Sequence, residues 1–208
     1  LQWAALAATA ALASAHRAAR TIGRRAWGVW AWIVVCVFGA LAWCAVMLLT
    51  QRPERRRAVR ALTRGAIRLI GLPLRVQGLE RLPSDGPCIV VANHASYVDS
   101  ILLGAVLPPH FSFAAKRELA DAPFIGNALQ RLGVAFVERE QAARGVEDAR
   151  ALQALVGAGE SFVVFPEGTF GRAAGLQAFK LGAFVVAAAT ETPVVPVTLN
   201  GTRSLLRG

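Results

Sequence analysis

Two residue types able to move a proton stand five positions apart in Asn93-His94-Ala95-Ser96-Tyr97-Val98-Asp99, directly after the apolar run Cys88-Ile89-Val90-Val91-Ala92. A carboxylate on one imidazole nitrogen fixes the tautomer and supports the positive charge that forms when the other nitrogen takes a proton. Such a pair can deprotonate a bound alcohol. Inside a single helix, His94 and Asp99 would lie about 140° apart at ~100° per residue and would not meet. A strand ending at Ala92 and a helix starting near Ser96 instead leave a turn that folds the imidazole back onto the carboxylate. The segment also reads as a capping box, Ser96-x-x-Asp99 ahead of the apolar Ile101-Leu102-Leu103, with His94 only a turn residue. From these residues alone both readings stand.

Further segments carry polar groups at the ends of apolar runs. Gly133-Val134-Ala135-Phe136-Val137-Glu138-Arg139 closes on an acid and a base, and Phe165-Pro166-Glu167-Gly168-Thr169 closes on a turn. The Arg139 guanidinium suits a phosphate monoester, or pairs with Glu138 or Glu140 at the surface. Gly168 permits close backbone approach, and Glu167 can accept from a hydroxyl or orient an arginine; a plain turn is the alternative. Pro193-Val194-Val195-Pro196-Val197 is an apolar strand bearing prolines, which tolerate sheet edges and strand starts. The two lysines of the chain, Lys116 and Lys180, are anion contacts or solvated charges. His110, after Pro108-Pro109, reads as a loop residue. Three scattered histidines and three cysteines without a Cys-x-x-Cys pair supply neither a metal-ligand set nor a disulfide framework.

The elements that must position these groups follow from the spacing of apolar runs. Strands are expected at 74–78, 88–92, 111–115, 135–138, 162–165 and 194–199, and helices at 97–106, 122–132, 142–158 and 176–189. Short runs rich in Val, Ile and Phe that alternate with helices predict an α/β domain on a mixed, largely buried sheet flanked by helices. Such sheets bind ligands at the carboxyl ends of their strands.

Ahead of this domain, residues 26–51 carry no charge and include Trp27, Trp30, Trp32 and Trp43. About 20 apolar residues suffice for a helix to cross a hydrocarbon core. The run is long and internal, unlike a cleaved signal peptide. The formal charge of +10 sits wholly before Arg75: eleven arginines and one acid, Glu54, lie between Arg17 and Arg68, against twelve basic and twelve acidic residues from Gly71 onward. Basic flanks on an apolar stretch fit anionic lipid headgroups better than nucleic acid, which is not expected as a partner. Residues 52–72 read as a basic helix lying on headgroups, with a solvated linker helix as the alternative. Arginines at both ends of the apolar run leave open a spanning helix with a cytoplasmic C-terminal side and a hairpin returning to one leaflet, with 1–15 as its other arm. The 208 residues divide into membrane-associated helices at 1–72 and a domain at 73–208 read as running on past its last residue.

Taken in order, Asn-His-x-Ser-x-x-Asp, Gly-x-x-Phe-x-x-Arg, Phe-Pro-Glu-Gly-Thr and the Val-Pro-Val strand resemble the glycerolipid acyltransferase family, best known for 1-acylglycerol-3-phosphate O-acyltransferases, over residues 74–208. The resemblance implies a membrane-bound O-acyltransferase of phospholipid biosynthesis; with the arginine balance around the apolar run, it is expected at the cytoplasmic membrane with its active site on the cytoplasmic side. It implies His94 as general base toward a glycerol hydroxyl and Asp99 as the group that orients it. Arg139 matches the family's phosphate-contacting arginine, Glu167, Gly168 and Thr169 match acceptor-site positions, and Lys116 and Lys180 also fall at family positions. Acyl-CoA or acyl carrier protein is the implied co-substrate, with no further cofactor. The family pattern continues Phe-Pro-Glu-Gly-Thr with Arg, whereas Phe170 stands here and Arg172 follows two residues later. The acceptor therefore stays open between 1-acylglycerol 3-phosphate, glycerol 3-phosphate and another lysolipid. A non-catalytic lipid-binding module within a longer polypeptide is the rival from another class.

Overall fold

A computed structural model describes residues 2–137, 142–169 and 175–205. Five strands, β1 (Ile89–Ala92), β2 (Phe111–Lys116), β3 (Ala135–Val137), β4 (Ser161–Val164) and β5 (Val194–Val197), form one sheet in the order β3-β2-β4-β1-β5. Every pairing is parallel, with Val90 opposite Val163 on one side and Val195 on the other. The α/β expectation holds, but the mixed strand direction does not. A helix follows each of the first four strands: α3 (Val98–Val106), α4 (Ile125–Leu132), α5 (Ala142–Gly157) and α6 (Gly182–Ala189). Each crossover returns the chain to the same end of the sheet, which is what parallel pairing requires.

Strand alternation divides the core between the two faces. Cys88, Val90 and Ala92 face Leu103 and Leu107 beside α3, while Ile89 and Phe162 face Val156, Ala183 and Val186 of α5 and α6. β5 lies at an edge, and so accommodates Pro196 opposite Val91.

Three expected boundaries move for local reasons. Residues 74–78 form no strand; Leu74 and Val76 stay exposed and the chain runs into a 3-10 turn at Leu79–Arg81. α4 starts at Ile125 because Phe124 adopts φ 63°, a left-handed backbone that stops a helix from running through it. α6 starts at Gly182 because the segment before it is drawn to the exit of β4, where Lys180 N–H donates to Pro166 O at 2.8 Å.

The N-terminal region is an antiparallel helix pair. Residues Gln2–Leu48 form one helix, α1, so the alanine-rich start continues it rather than folding back as a second arm. The returning helix is α2, Arg52–Ile70. Trp27 Nε1 donates to Ile70 O at 2.9 Å, Trp30 Nε1 donates to Leu69 O at 3.0 Å, and Val34 packs on Ala66 and Ile70. Phe38 comes so close to Gly65 that a Cβ there would lie 2.9 Å from its ring, which explains a glycine inside this helix.

The arginines of α2 meet protein as well as solvent. Arg56 Nε donates to Leu132 O at 2.8 Å and Arg55 Nη1 to Arg131 O at 3.1 Å, at the end of α4. Arg60 Nε and Nη2 donate to Ala105 O and Val106 O at the end of α3. Arg131 Nη1 returns the favour, donating to Met47 O at 2.7 Å at the end of α1. Terminal helix carbonyls have no partner within their own helix, and a guanidinium offers several N–H groups to satisfy them. An ion pair from Arg56 to Glu160 at 3.3 Å ties α2 to the start of β4. The expected basic helix is real, and this face of it clamps α2 to the sheet domain.

Candidate active site

β1 ends at Ala92, α3 begins at Val98, and the turn between them brings His94 Nδ1 to 2.9 Å from Asp99 Oδ2. That oxygen also accepts Ala95 N–H at 2.6 Å and Ser96 N–H at 2.8 Å. The Ser96 bond is the back-reaching arm of a capping box, so cap and dyad share one carboxylate oxygen and are not alternatives. Asp99 is 0% exposed. Burial opposes its ionisation, but the His94 imidazole, the Thr202 hydroxyl and the Ala95 and Ser96 N–H groups together hold its carboxyl below the ordinary range. A carboxylate that stays charged can stabilise an imidazolium beside it. With Nδ1 committed to Asp99, Nε2 is the nitrogen placed to exchange a proton with a substrate.

Two neighbours fix the imidazole and its peptide. The ring stacks on Phe165, with centroids 4.1 Å apart and planes inclined by 18°. Glu167, 5% exposed, accepts His94 N–H on Oε1 and Gln177 N–H on Oε2, each at 2.8 Å. Both oxygens of the expected acceptor-site carboxylate thus carry backbone bonds. On the other side, Asn93 makes a two-point contact with the peptide of Leu199: Nδ2 donates to Leu199 O at 3.0 Å, and Oδ1 accepts Leu199 N–H at 2.7 Å. The turn is held from both β4 and β5.

His94 opens onto a cavity of about 1340 Å³, above the roughly 300–1,000 Å³ usual for small-molecule sites. The cavity runs along the whole of β2, from Lys116 beside the dyad's end of the sheet to Phe111 at the other, with α3 and α2 as further walls. Ile101, Gly104, Phe113 and Val59 make much of it apolar, and Arg56 and Arg60 lie along its α2 side.

The remaining expected residues fall as follows. Gly168 (φ 79°) and Thr169 line the cavity next to His94. Lys180 is exposed and its methylenes pass over Gly168, where a Cβ would lie 3.0 Å from Lys180 Cε. Lys116 lines the cavity and pairs with Glu118 at 2.7 Å. Arg139 lies outside the described residues, as do Phe170 and Arg172. Sequence reasoning passed over Arg203, which lines the cavity, and Thr202, which is buried at the dyad. Their only signal was position, in a Gly-Thr-Arg turn just past β5, at the same sheet end as the other polar clusters.

A family model described as Acyltransferase matches residues 73–200. The chloroplastic 1-acyl-sn-glycerol-3-phosphate acyltransferase of Brassica napus is 40% identical over 132 residues, 63% of this chain and 38% of that protein. The alpha form of the enzyme from Ovis aries is 31% identical over 81% of this chain and 58% of its own length. This chain thus spans well under two thirds of the length of either relative. The crystal structure of the 1-acyl-sn-glycerophosphate (LPA) acyltransferase PlsC from Thermotoga maritima superposes with a TM-score of 0.69 at 26% identity, covering 90% of this chain and 78% of that one. With the matched span running from before β1 to the end of β5 and enclosing His94 and Asp99, the chain belongs to the Acyltransferase family.

Proposed function

We propose that this chain transfers a fatty acyl group from acyl-CoA or acyl carrier protein to the free hydroxyl of 1-acylglycerol 3-phosphate. The observation that carries the proposal is the His94–Asp99 dyad, whose imidazole lines a largely apolar cavity that runs along β2. The names of the relatives, which specify 1-acyl-sn-glycerol-3-phosphate as acceptor, support the choice of substrate. In the reaction, the acceptor oxygen attacks the thioester carbonyl as His94 Nε2 takes the hydroxyl proton. The tetrahedral intermediate then expels the thiolate, which receives that proton, leaving an ester and a free thiol. The acceptor is itself the nucleophile, so no enzyme serine is acylated. The cavity along β2 accommodates an acyl chain, and Arg203 and Lys116 on its lining, with Lys180 beside Gly168, bring positive charge toward the acceptor phosphate.

The anchor fits the same reading. Arg25–Leu48 is a 24-residue stretch long and apolar enough to cross a membrane. It is nevertheless paired along that length with α2, whose seven arginines would be drawn into hydrocarbon if α1 stood upright. Lying within one leaflet, α1 instead offers exposed Trp27, Trp30, Trp32 and Ile33 to lipid while α2 holds the domain at the interface. Glu167 acts in this scheme by positioning the base, and Arg139, Gly168 and Thr169 are assigned to the acceptor. Incubating the purified chain with labelled acyl-CoA and a panel of acceptors, followed by lipid mass spectrometry, tests the proposal. Labelled phosphatidic acid is the expected product; transfer only to glycerol 3-phosphate or to another lysolipid would overturn the acceptor assignment, and binding without turnover would overturn catalysis.

A further inference from the structure

We infer that Thr202 is a third member of the dyad, a positioning residue whose hydroxyl steadies the outer oxygen of Asp99 and keeps the carboxylate turned toward His94. The inference rests on the acyl-transfer reading above. Its geometric basis is a matched pair of buried atoms. Asp99 Oδ2 takes three donors, whereas Oδ1 and Thr202 Oγ1 are both buried, and neither completes an ordinary hydrogen bond in the described geometry. Thr202 is 3% exposed and Asp99 0%, so water does not serve either group freely. A buried carboxylate oxygen left without a donor is costly, and a hydroxyl beside it is the cheapest remedy.

The chain path explains why the two meet. β5 runs in register with β1, Ala92 opposite Val197, so the residues after each strand leave the sheet side by side. The two-point contact between Asn93 and Leu199 then joins the residue before the base to a residue three places before the threonine. Gly201, at φ 84°, turns the chain into the 3-10 turn Thr202–Ser204, which Ser204 closes by donating its N–H and hydroxyl to Gly201 O. Thr202 is therefore delivered to Asp99 by the same contacts that fix His94. The hydroxyl is also among the groups that favour the charged form of Asp99. With Oδ2 held by the turn, a hydroxyl donated by Thr202 to Oδ1 would keep the carboxylate from rotating away from the imidazole when that ring takes a proton.

Thr202→Val removes the hydroxyl and keeps the shape, and Thr202→Ser keeps the hydroxyl. Both are to be measured in the full chain for kcat and KM across pH with 1-acylglycerol 3-phosphate and an acyl-CoA, alongside thermal unfolding. The expected result for Thr202→Val is a kcat lowered roughly tenfold with KM within about twofold of wild type, on the scale of one charge-assisted hydrogen bond. The acidic limb of its rate profile, which reports the dyad, moves to higher pH, because a carboxylate stripped of a donor holds a proton-bearing imidazole more tightly. Thr202→Ser restores both. A Thr202→Val enzyme with wild-type kcat and profile overturns the inference. So does a loss shared by both variants and matched by an equal fall in Tm, which would make the residue structural. A wild-type chain inert toward every acceptor sinks the acyl-transfer reading itself, whereas an active wild type beside an unaltered Thr202→Val sinks this inference alone.

Discussion

Glu167 Oε1 lies 2.8 Å from the backbone nitrogen of His94, so the carboxylate at the end of β4 holds the peptide of the base at the end of β1. Its other oxygen holds Gln177 at the same distance. Glu167→Gln puts an amide N–H against one of two backbone donors, and leaving a buried donor unpaired costs about 1–3 kcal/mol. Steady-state kinetics should show kcat falling with KM little changed, together with a lower Tm. A selective rise in KM for the acceptor would instead mark Glu167 as a direct substrate contact.

Removal of either dyad member should abolish most turnover. General base catalysis is worth roughly a hundred- to ten-thousandfold, and His94→Ala should lose about that much kcat. Asp99→Asn should lose a comparable amount by upsetting the tautomer and the two backbone bonds on Oδ2. Circular dichroism must show both variants folded for the comparison to count.

Asp99 also makes stability depend on acid. Its carboxyl is held below the ordinary range, so the stabilisation is fully present above the unfolded value, about 3.9, and is lost as pH falls through the lower folded value. The Tm difference between wild type and Asp99→Asn should be largest near neutrality and should shrink below about pH 4. A gap that stayed constant down to strong acid would contradict this.

Gly104 lies on the cavity wall in α3, and a Cβ there would meet nothing closer than the Phe113 ring at 3.8 Å. Gly104→Leu therefore fits the backbone but fills the channel. When acyl-CoAs of several lengths compete, product analysis should show a shift toward shorter chains with those chains still turned over. An unchanged product distribution would place the acyl chain elsewhere.

Arg56 carries bonds to Leu132 O and His110 O and an ion pair to Glu160, with its side chain 11% exposed. Arg56→Ala strips partners from two carbonyls and a half-buried acid, and should destabilise the chain by about 2–4 kcal/mol. Limited proteolysis between α2 and the sheet domain should accelerate. Arg57, which makes none of these bonds, serves as the control.

The sheet and the dyad were legible because each depends on local signals. Val90 and Val163 sit in short apolar runs with the turn residues that end them, and His94 and Asp99 lie within one turn of chain. What escaped depends on where distant segments meet. Asn93 and Leu199 are 106 positions apart, and nothing in Gly201-Thr202-Arg203 announces that its hydroxyl will reach a carboxylate. The arginines of α2 read as lipid contacts since a guanidinium binds a helix carbonyl and a phosphate with the same N–H groups. Residues 74–78 have strand-like composition but pair with no strand of the sheet. α6 starts later than the apolar run suggests because Gln177 and Lys180 are recruited by Glu167 and Pro166, which no helical periodicity reveals.

The Asn93–Leu199 clasp has a consequence for the order in which this protein is made. A chain emerging from the ribosome exposes His94 and Asp99 long before β5, and until β5 docks against β1 the nascent turn lacks one of its two supports. Long-range pairings of this kind form late. A finished turn therefore arrives only with β5, so a translation product that ends short of it would present the His94 and Asp99 motif with one of its two supports missing.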